Sequence, residues 1–194
     1  MNIGVLAFHG DVIEHIETTK HAASNLHINI RVIPVRTKEI ISRLDALIIP
    51  GGESTTLYKL CEREKMWEKM KKIKNIFGTC AGTIMLAKII RHKTRDQKTL
   101  ELMDIEVNRN AYGKQTESFE QNIHSRLGKI RAIFIRAPKI LRIGKNIKIL
   151  AKIDREIIAC EEEENSRYYL ATCFHPELSS TMFHEYFLKK IFRK

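Results

Sequence analysis

No two cysteines in this chain sit in a C-x-x-C pair, and the four present, Cys61, Cys80, Cys160 and Cys173, are scattered along it. That spacing argues against a zinc site and against a disulfide-stapled scaffold, and it fits reduced thiols. No apolar run approaches the roughly 18 residues that a membrane span needs, and the opening MNIGVL carries no basic segment ahead of its apolar residues. The expectation is a soluble, cytoplasmic protein that does not associate with membranes. Internal repeats are missing, and the one biased tract, EEEE at Glu161 to Glu164, reads as a solvated hairpin tip. Acidic residues are scarce in one place. Between Ser125 and Arg155, ten Lys and Arg face Asp154 alone, in a chain of 34 basic and 23 acidic residues with a net charge of +11. That stretch is either a solvated basic face or a contact for an acidic protein or anionic metabolite. No nucleic-acid-binding motif accompanies it and aromatics are not interleaved with it, so nucleic acid is not expected as a partner.

What is present suits one hydrophobic core. A chain of 194 residues that is 43% hydrophobic is expected to form a single domain spanning 1–194. NIGVLAF (Asn2 to Phe8) reads as a strand, followed by a helix with Val12, Ile13, Ile16 and Ala23 on one face. INIRVIPV (Ile28 to Val35) and DALIIPGG (Asp45 to Gly52) read as further strands, and STTLYKLCERE restarts helix. This alternation predicts an α/β fold, three layers α/β/α around a mostly parallel central sheet. In the second half MDIEVNRN, ESFEQNI, RAIFIRAP, NIKILAKI, EIIACEE and YYLATCFHPE read as strands with few helices between them, an antiparallel extension of the sheet. Ser179 to Phe192 is amphipathic and predicts a terminal helix.

Chemistry concentrates in three short motifs. In NIFGTCAGTIMLA (Asn75 to Ala87), Cys80 stands where a strand must turn sharply into a helix, flanked by Gly78-Thr79 and Ala81-Gly82. Small neighbours suit a strained nucleophile elbow of the G-x-S-x-G kind. A thiol there faces a helix N-terminus that favours thiolate, and the Ala81 N–H is placed to bind an oxyanion. A buried structural cysteine beside a tight turn is the alternative. FHPE (Phe174 to Glu177) offers a base, His175, with Glu177 two residues on to orient its ring; an ordinary core or surface histidine is the alternative. IIPGGEST (Ile48 to Thr55) lets backbone N–H groups approach a ligand, with Gly52 as the second oxyanion donor. It has neither the G-K-[ST] ending nor the G-x-G-x-x-G spacing of phosphate loops.

PGGEST, GTCAG and FHPE, in that order, resemble the class I, triad-type glutamine amidotransferases. GVLAFHGDVIEH, LMDIEVNRNAYGKQTESFE (Leu102 to Glu120) and FIRAP (Phe134 to Pro138) narrow the resemblance to the glutaminase subunit of pyridoxal 5'-phosphate synthase, over essentially the whole chain. The resemblance implies that L-glutamine is hydrolysed to glutamate and ammonia, and that the ammonia passes to a separate synthase subunit. It implies Cys80 as nucleophile, His175 as proton shuttle and Glu177 as its orienting partner. Glutamine-binding positions carry over to Gly52, Glu53, Ser54, Arg109, Ile135 and Arg136. No metal or organic cofactor is implied for this half-reaction, and pyridoxal phosphate would be a product of the assembled complex. A glutaminase subunit serving another synthase, or a catalytically silent regulatory protein on the same fold, are the alternatives. His9 departs from the family pattern, which usually has glutamine there, in a pair that looks like part of the contact with the synthase subunit.

Overall fold

Apolar runs and amphipathic segments alternate through the first half and become, in order, β1 (Asn2–Leu6), α1 (Val12–Asn25), β2 (Arg31–Val35), α2 (Lys38–Ile41), β3 (Ala46–Ile49), α3 (Ser54–Arg63), α4 (Trp67–Met70), β4 (Asn75–Thr79) and α5 (Ala81–Leu86). This computed structural model describes residues 1–92, 97–109 and 118–192. The second half supplies β5 (Ala87–Arg91), β6 (Met103–Asn108), β7 (Ser118–Ser125), β8 (Gly128–Ile135), β9 (Lys139–Ile143), β10 (Ile147–Ile153), β11 (Glu156–Glu164), β12 (Arg167–Thr172), a 3₁₀ turn (Pro176–Leu178) and α6 (Met182–Phe192). Part of LMDIEVNRNAYGKQTESFE, residues 110–117, lies outside the described residues.

Five strands form a parallel core in the order β2-β1-β3-β4-β12. β11, β10, β7 and β8 continue the sheet antiparallel, and β9, β6 and β5 branch from β11. The expected mostly parallel centre with an antiparallel extension is therefore present. β3, ALII, is fully buried along its length, as a central strand covered on both faces must be. β2 carries Pro34, which cannot donate to a ladder, and β2 lies at the sheet edge where that costs nothing. The crossover β1-α1-β2 runs one way across the sheet and β3-α3-β4 runs the other. Right-handed connections then set α1 and α3 on opposite faces, where α1 packs on α6 and α3 on α5. Fully buried Leu47, Ile48, Phe77, Phe183 and Phe187 fill the space between layers, each worth roughly 1.5–3 kcal/mol of burial.

Four details differ from the sequence reading. On α1, Ile13 is 72% exposed, and the buried face carries His15, Thr18, Thr19, Ala22 and Ala23. Of the expected face, Ala23 is buried and Val12 and Ile16 pack against the core, whereas apolar spacing misplaced Ile13 and missed His15, Thr18 and Thr19, which are polar. The tract at Glu161 to Glu164 is not a solvated tip. Glu161 and Glu162 are buried in β11, and the turn falls at Asn165 and Ser166. Each buried carboxylate has donors: Glu161 accepts the Tyr168 and Tyr186 hydroxyls at 2.8 and 2.9 Å, and Glu162 accepts the Asp104 amide at 2.9 Å. β5 and β9 were not anticipated; β5 begins where α5 ends, after only six residues. The basic stretch is partly paired, with Lys139 on Glu156, Arg131 on Glu120 and Arg142 on Asp104. Among the described residues no helix is long and apolar enough to cross a membrane.

Candidate active site

Because the core strands are parallel, their carboxyl ends gather at one edge of the sheet. The segments after β1, β3, β4 and β12 are His9-Gly10-Asp11, Gly51-Gly52-Glu53, Cys80 and His175-Pro176-Glu177. The motifs that are far apart in sequence meet there for that reason. They surround a cavity of about 580 Å³ lined by Gly52, Glu53, Ser54, Cys80, Arg109, Ile135, Arg136 and His175 among others. Of the expected site residues, only Glu177 and Ala81 lie behind its wall, both buried.

Cys80 has φ 49° and ψ −103°, a conformation that L residues rarely take, and it stands immediately before α5. The strain is held by the surroundings. The Cys80 N–H donates to the Thr172 carbonyl at 2.8 Å, tying the turn to β12, and the Thr83 hydroxyl donates to the same carbonyl at 2.7 Å. A side chain at Gly82 would collide with the Ile49 carbonyl, so the turn also needs a glycine two residues on. Ala81 is the first residue of α5, and its N–H belongs to the amides that have no acceptor within the helix. The Cys80 thiol points toward the Ile135 carbonyl at 3.7 Å. Ile135 thus borders Cys80 by its backbone, and Arg136 follows in a left-handed conformation, φ 46°.

His175 is buried, and its Nδ1 lies 2.8 Å from Glu177 Oε1 and 2.9 Å from Asp11 Oδ2. Carboxylates only accept, so Nδ1 carries the proton and Nε2 is free to serve the cavity. Burial alone would lower the basicity of the ring. Asp11, the Cys80 side chain and Glu177 together outweigh it and push His175 up to about 12. Glu177 is held well below the ordinary carboxylate range: its burial opposes ionisation, and His15 and His175 override it. The ordering expected from His-x-Glu spacing is present, although Pro176 and Glu177 sit in a 3₁₀ turn and not in extended chain. Asp11, His175 and Glu177 also form the one group of possible metal ligands among the described residues. The proton shared at Nδ1 accounts for their closeness without a cation.

Glu53 and Arg109 engage each other. Glu53 caps α3, accepting the Thr55 and Thr56 amides at 3.0 and 2.7 Å, and Arg109 Nη2 reaches Glu53 at 2.7 Å. Arg109 Nη1 donates to Thr55 and to Gln97, which in turn donates to the buried Ser54 hydroxyl at 2.8 Å. This network fixes the floor of the cavity. Gly52, at φ +117°, leaves no room for a side chain because the His9 ring lies over it, so the segment after β1 packs directly on the oxyanion candidate. Sequence reasoning missed Asp11, His15 and Gln97. Asp11 and His15 both carried a signal, their place in GVLAFHGDVIEH, which runs from Gly4 to His15.

The model of the SNO glutamine amidotransferase family matches residues 5–193. The chain belongs to that family. It is similar to a relative named pyridoxal 5'-phosphate synthase subunit PdxT from Pyrococcus horikoshii, 42% identical over 98% of this chain and 100% of the relative. A protein of the same name from Methanospirillum hungatei is 47% identical over 96% of this chain and 95% of the relative. A solved structure described as a glutamine amidotransferase superposes with a TM-score of 0.83 at 38% identity, covering 97% of this chain and 98% of that one.

Proposed function

We propose that this chain is the glutaminase subunit of a pyridoxal 5'-phosphate synthase, hydrolysing L-glutamine to L-glutamate and ammonia and supplying the ammonia to a synthase subunit. The observation that carries the reading is the convergence on one cavity of a strained Cys80 and a His175 whose Nδ1 is held by Glu177. Near-full-length likeness to proteins named PdxT supports the choice of synthase. One continuous sheet linking both halves supports a single domain over 1–194, and a cytoplasmic location is part of the same reading.

The chemistry runs as follows. Cys80 as thiolate attacks the side-chain amide carbon of glutamine, and the carbonyl oxygen becomes an oxyanion received by the Gly52 and Ala81 amides. His175 Nε2 gives its proton to the amide nitrogen, the C–N bond breaks and ammonia leaves, with a glutamyl thioester remaining on Cys80. Water then loses a proton to His175 and attacks the thioester, and the thiolate departs as glutamate forms. Ser54, Ile135 and Arg136 border the space left for the glutamine backbone, and Glu53 with Arg109 holds its floor. The test is ammonia release from glutamine by this chain mixed with the synthase subunit, with Cys80→Ala as control. Release that depends on Cys80 and on the partner is expected. Cys80-independent release, or none in a complex that has formed, would reject the reading.

A further inference from the structure

The Glu177 oxygen that holds His175 is also met by the first of a buried pair of histidines. Glu177 Oε1 lies 3.2 Å from His15 Nε2 as well as 2.8 Å from His175 Nδ1, while its Oε2 is buried without a partner. His15, on the inner face of α1, is fully buried, and its Nε2 also lies 3.0 Å from the hydroxyl of Thr79, the residue before Cys80. Its Nδ1 lies 3.0 Å from Nε2 of His184, which is buried on α6.

Proton counting decides the arrangement. A carboxylate accepts only, so His15 Nε2 carries a proton. Burial first, and His15 second, hold His184 down at about 3, so His184 has a single ring proton. If that proton sat on Nδ1, a buried N–H would be stranded, because His184 Nδ1 has no partner. Placed on Nε2 it donates to His15 Nδ1, and only a lone pair is left unmet.

We propose that His15 is a positioning residue for the glutaminase reaction: it donates its Nε2–H to the Glu177 oxygen that holds His175, and His184 locks the His15 ring in that tautomer. The inference rests on the reading of Cys80, His175 and Glu177 as the hydrolytic triad. It extends the triad through the core, from α6 by way of α1 to the cavity. With Oε2 unpartnered, the two N–H groups on Oε1 are what orient the carboxylate. The titratable groups around Glu177 are Asp11 and His15 from the segment before α1 and from α1, Cys80 from the turn after β4, His175 beside it and His184 behind His15.

The experiment uses the chain in complex with the synthase subunit. His15→Leu keeps the volume and removes the donor; kcat should fall about tenfold to a hundredfold while KM for glutamine stays within about twofold. The acid limb of the kcat profile should move to higher pH, because Glu177 then protonates more easily. His15→Gln can place an amide N–H where Nε2 stood, and should return kcat to within about threefold of wild type with the original profile. Equal losses in both variants with an unmoved pH profile would overturn the inference, as would full activity in His15→Leu. Should His15→Leu fail to fold, ¹⁵N shifts of the histidine rings in the wild-type chain read the tautomer directly. A His15 ring with its proton on Nε2 supports the proposal, and one with its only proton on Nδ1 rejects it. A wild-type complex without Cys80-dependent ammonia release would instead reject the glutaminase reading, a result separate from any His15 phenotype.

Discussion

Asp11 Oδ2 lies 2.9 Å from His175 Nδ1, so the Asp11 carboxylate shares with Glu177 the single proton on that nitrogen. The two acceptors are not equivalent. Glu177 has no side-chain exposure, whereas the Asp11 side chain is 32% exposed and screened by water. The buried carboxylate should dominate orientation, and the exposed one should add to the field that keeps the ring protonated.

Ranking of variants follows from that asymmetry. Cys80→Ala and His175→Asn should each remove nearly all turnover, since on the proposed mechanism one deletes the nucleophile and the other the proton carrier. Glu177→Gln should cost less, because an amide can hold the ring without stabilising its charge, and Asp11→Asn least, about threefold to tenfold in kcat. Asp11 helps to hold His175 up, so its loss should lower His175 and move the basic limb of the kcat profile to lower pH. A steady-state pH series on the complex measures both effects. An Asp11→Asn defect as deep as that of Glu177→Gln would assign the orienting role to Asp11.

A glutamine-mimicking electrophile should label Cys80 alone. Cys61 is buried in α3, and that burial, with the charge of Glu62, pushes its thiol up to about 12. Burial likewise pushes Cys160 and Cys173 well above the ordinary thiol range. Cys80 alone of the four lines the cavity. Peptide mass mapping of the adduct decides the matter, and modification at any of the other three would contradict this assignment.

The fold and the chemistry were legible to different depths. Apolar runs ending in glycine marked β3 and β4, and the small residues around Cys80 marked the elbow, because both signals are local. His15 ended the recognised stretch GVLAFHGDVIEH, but its role was not legible there: it occupies a helix position where periodicity expects an apolar residue, and its partners Glu177 and His184 lie 162 and 169 positions away in the chain. Glu161 was misjudged because composition reports charge and cannot report the Tyr168 and Tyr186 hydroxyls that receive it. Asp11 shows the same limit from the other side. It stood in a recognised motif, yet only the parallel register of β1 and β12 on either side of β3 and β4 brings it to His175.

Acid should loosen the cavity floor before it unfolds the chain. Glu53 falls from its ordinary 4.5 to about 2, because hydrogen bonds from Thr55 and Thr56 outweigh its partial burial. A depressed carboxylate contributes stability that is whole above about 4.5 and is lost as pH falls toward 2. Glu177, also depressed, adds a loss in the same direction. His175 is raised, so its contribution is whole below about 6.5 and is lost only as pH climbs toward 12; it does not oppose the acid trend. Glu53→Gln should destabilise the chain by about 1 kcal/mol at pH 7, as loss of a helix cap does. It should also flatten the fall in denaturation midpoint between pH 5 and pH 3, values to be read by denaturant titration. An unchanged acid limb in the variant would mean that Glu53 does not carry the effect.

The isolated chain should be a poor glutaminase that its synthase partner switches on. Ammonia released without a consumer wastes glutamine, and the geometry offers a place for control. Gly52, in a left-handed conformation at φ +117°, lies under the His9 ring, so a contact that moves the segment after β1 reaches the oxyanion candidate directly. A Gly-Gly peptide rotates at little steric cost, so an N–H can point away until contact fixes it. If the competent arrangement is about 1% populated in the free chain, docking that favours it can raise the rate up to roughly a hundredfold, which corresponds to about 2.7 kcal/mol of differential binding. Part of the attraction should come from the basic residues between Ser125 and Arg155, several of them exposed, such as Arg126, Lys129 and Lys148. Association should then weaken as salt rises. Ammonia release with and without the synthase subunit, at low and high ionic strength, separates the two claims. Equal rates in the free chain and in a demonstrated complex would reject the switch, whereas a salt-independent dissociation constant would reject the role of the basic face and leave the switch standing.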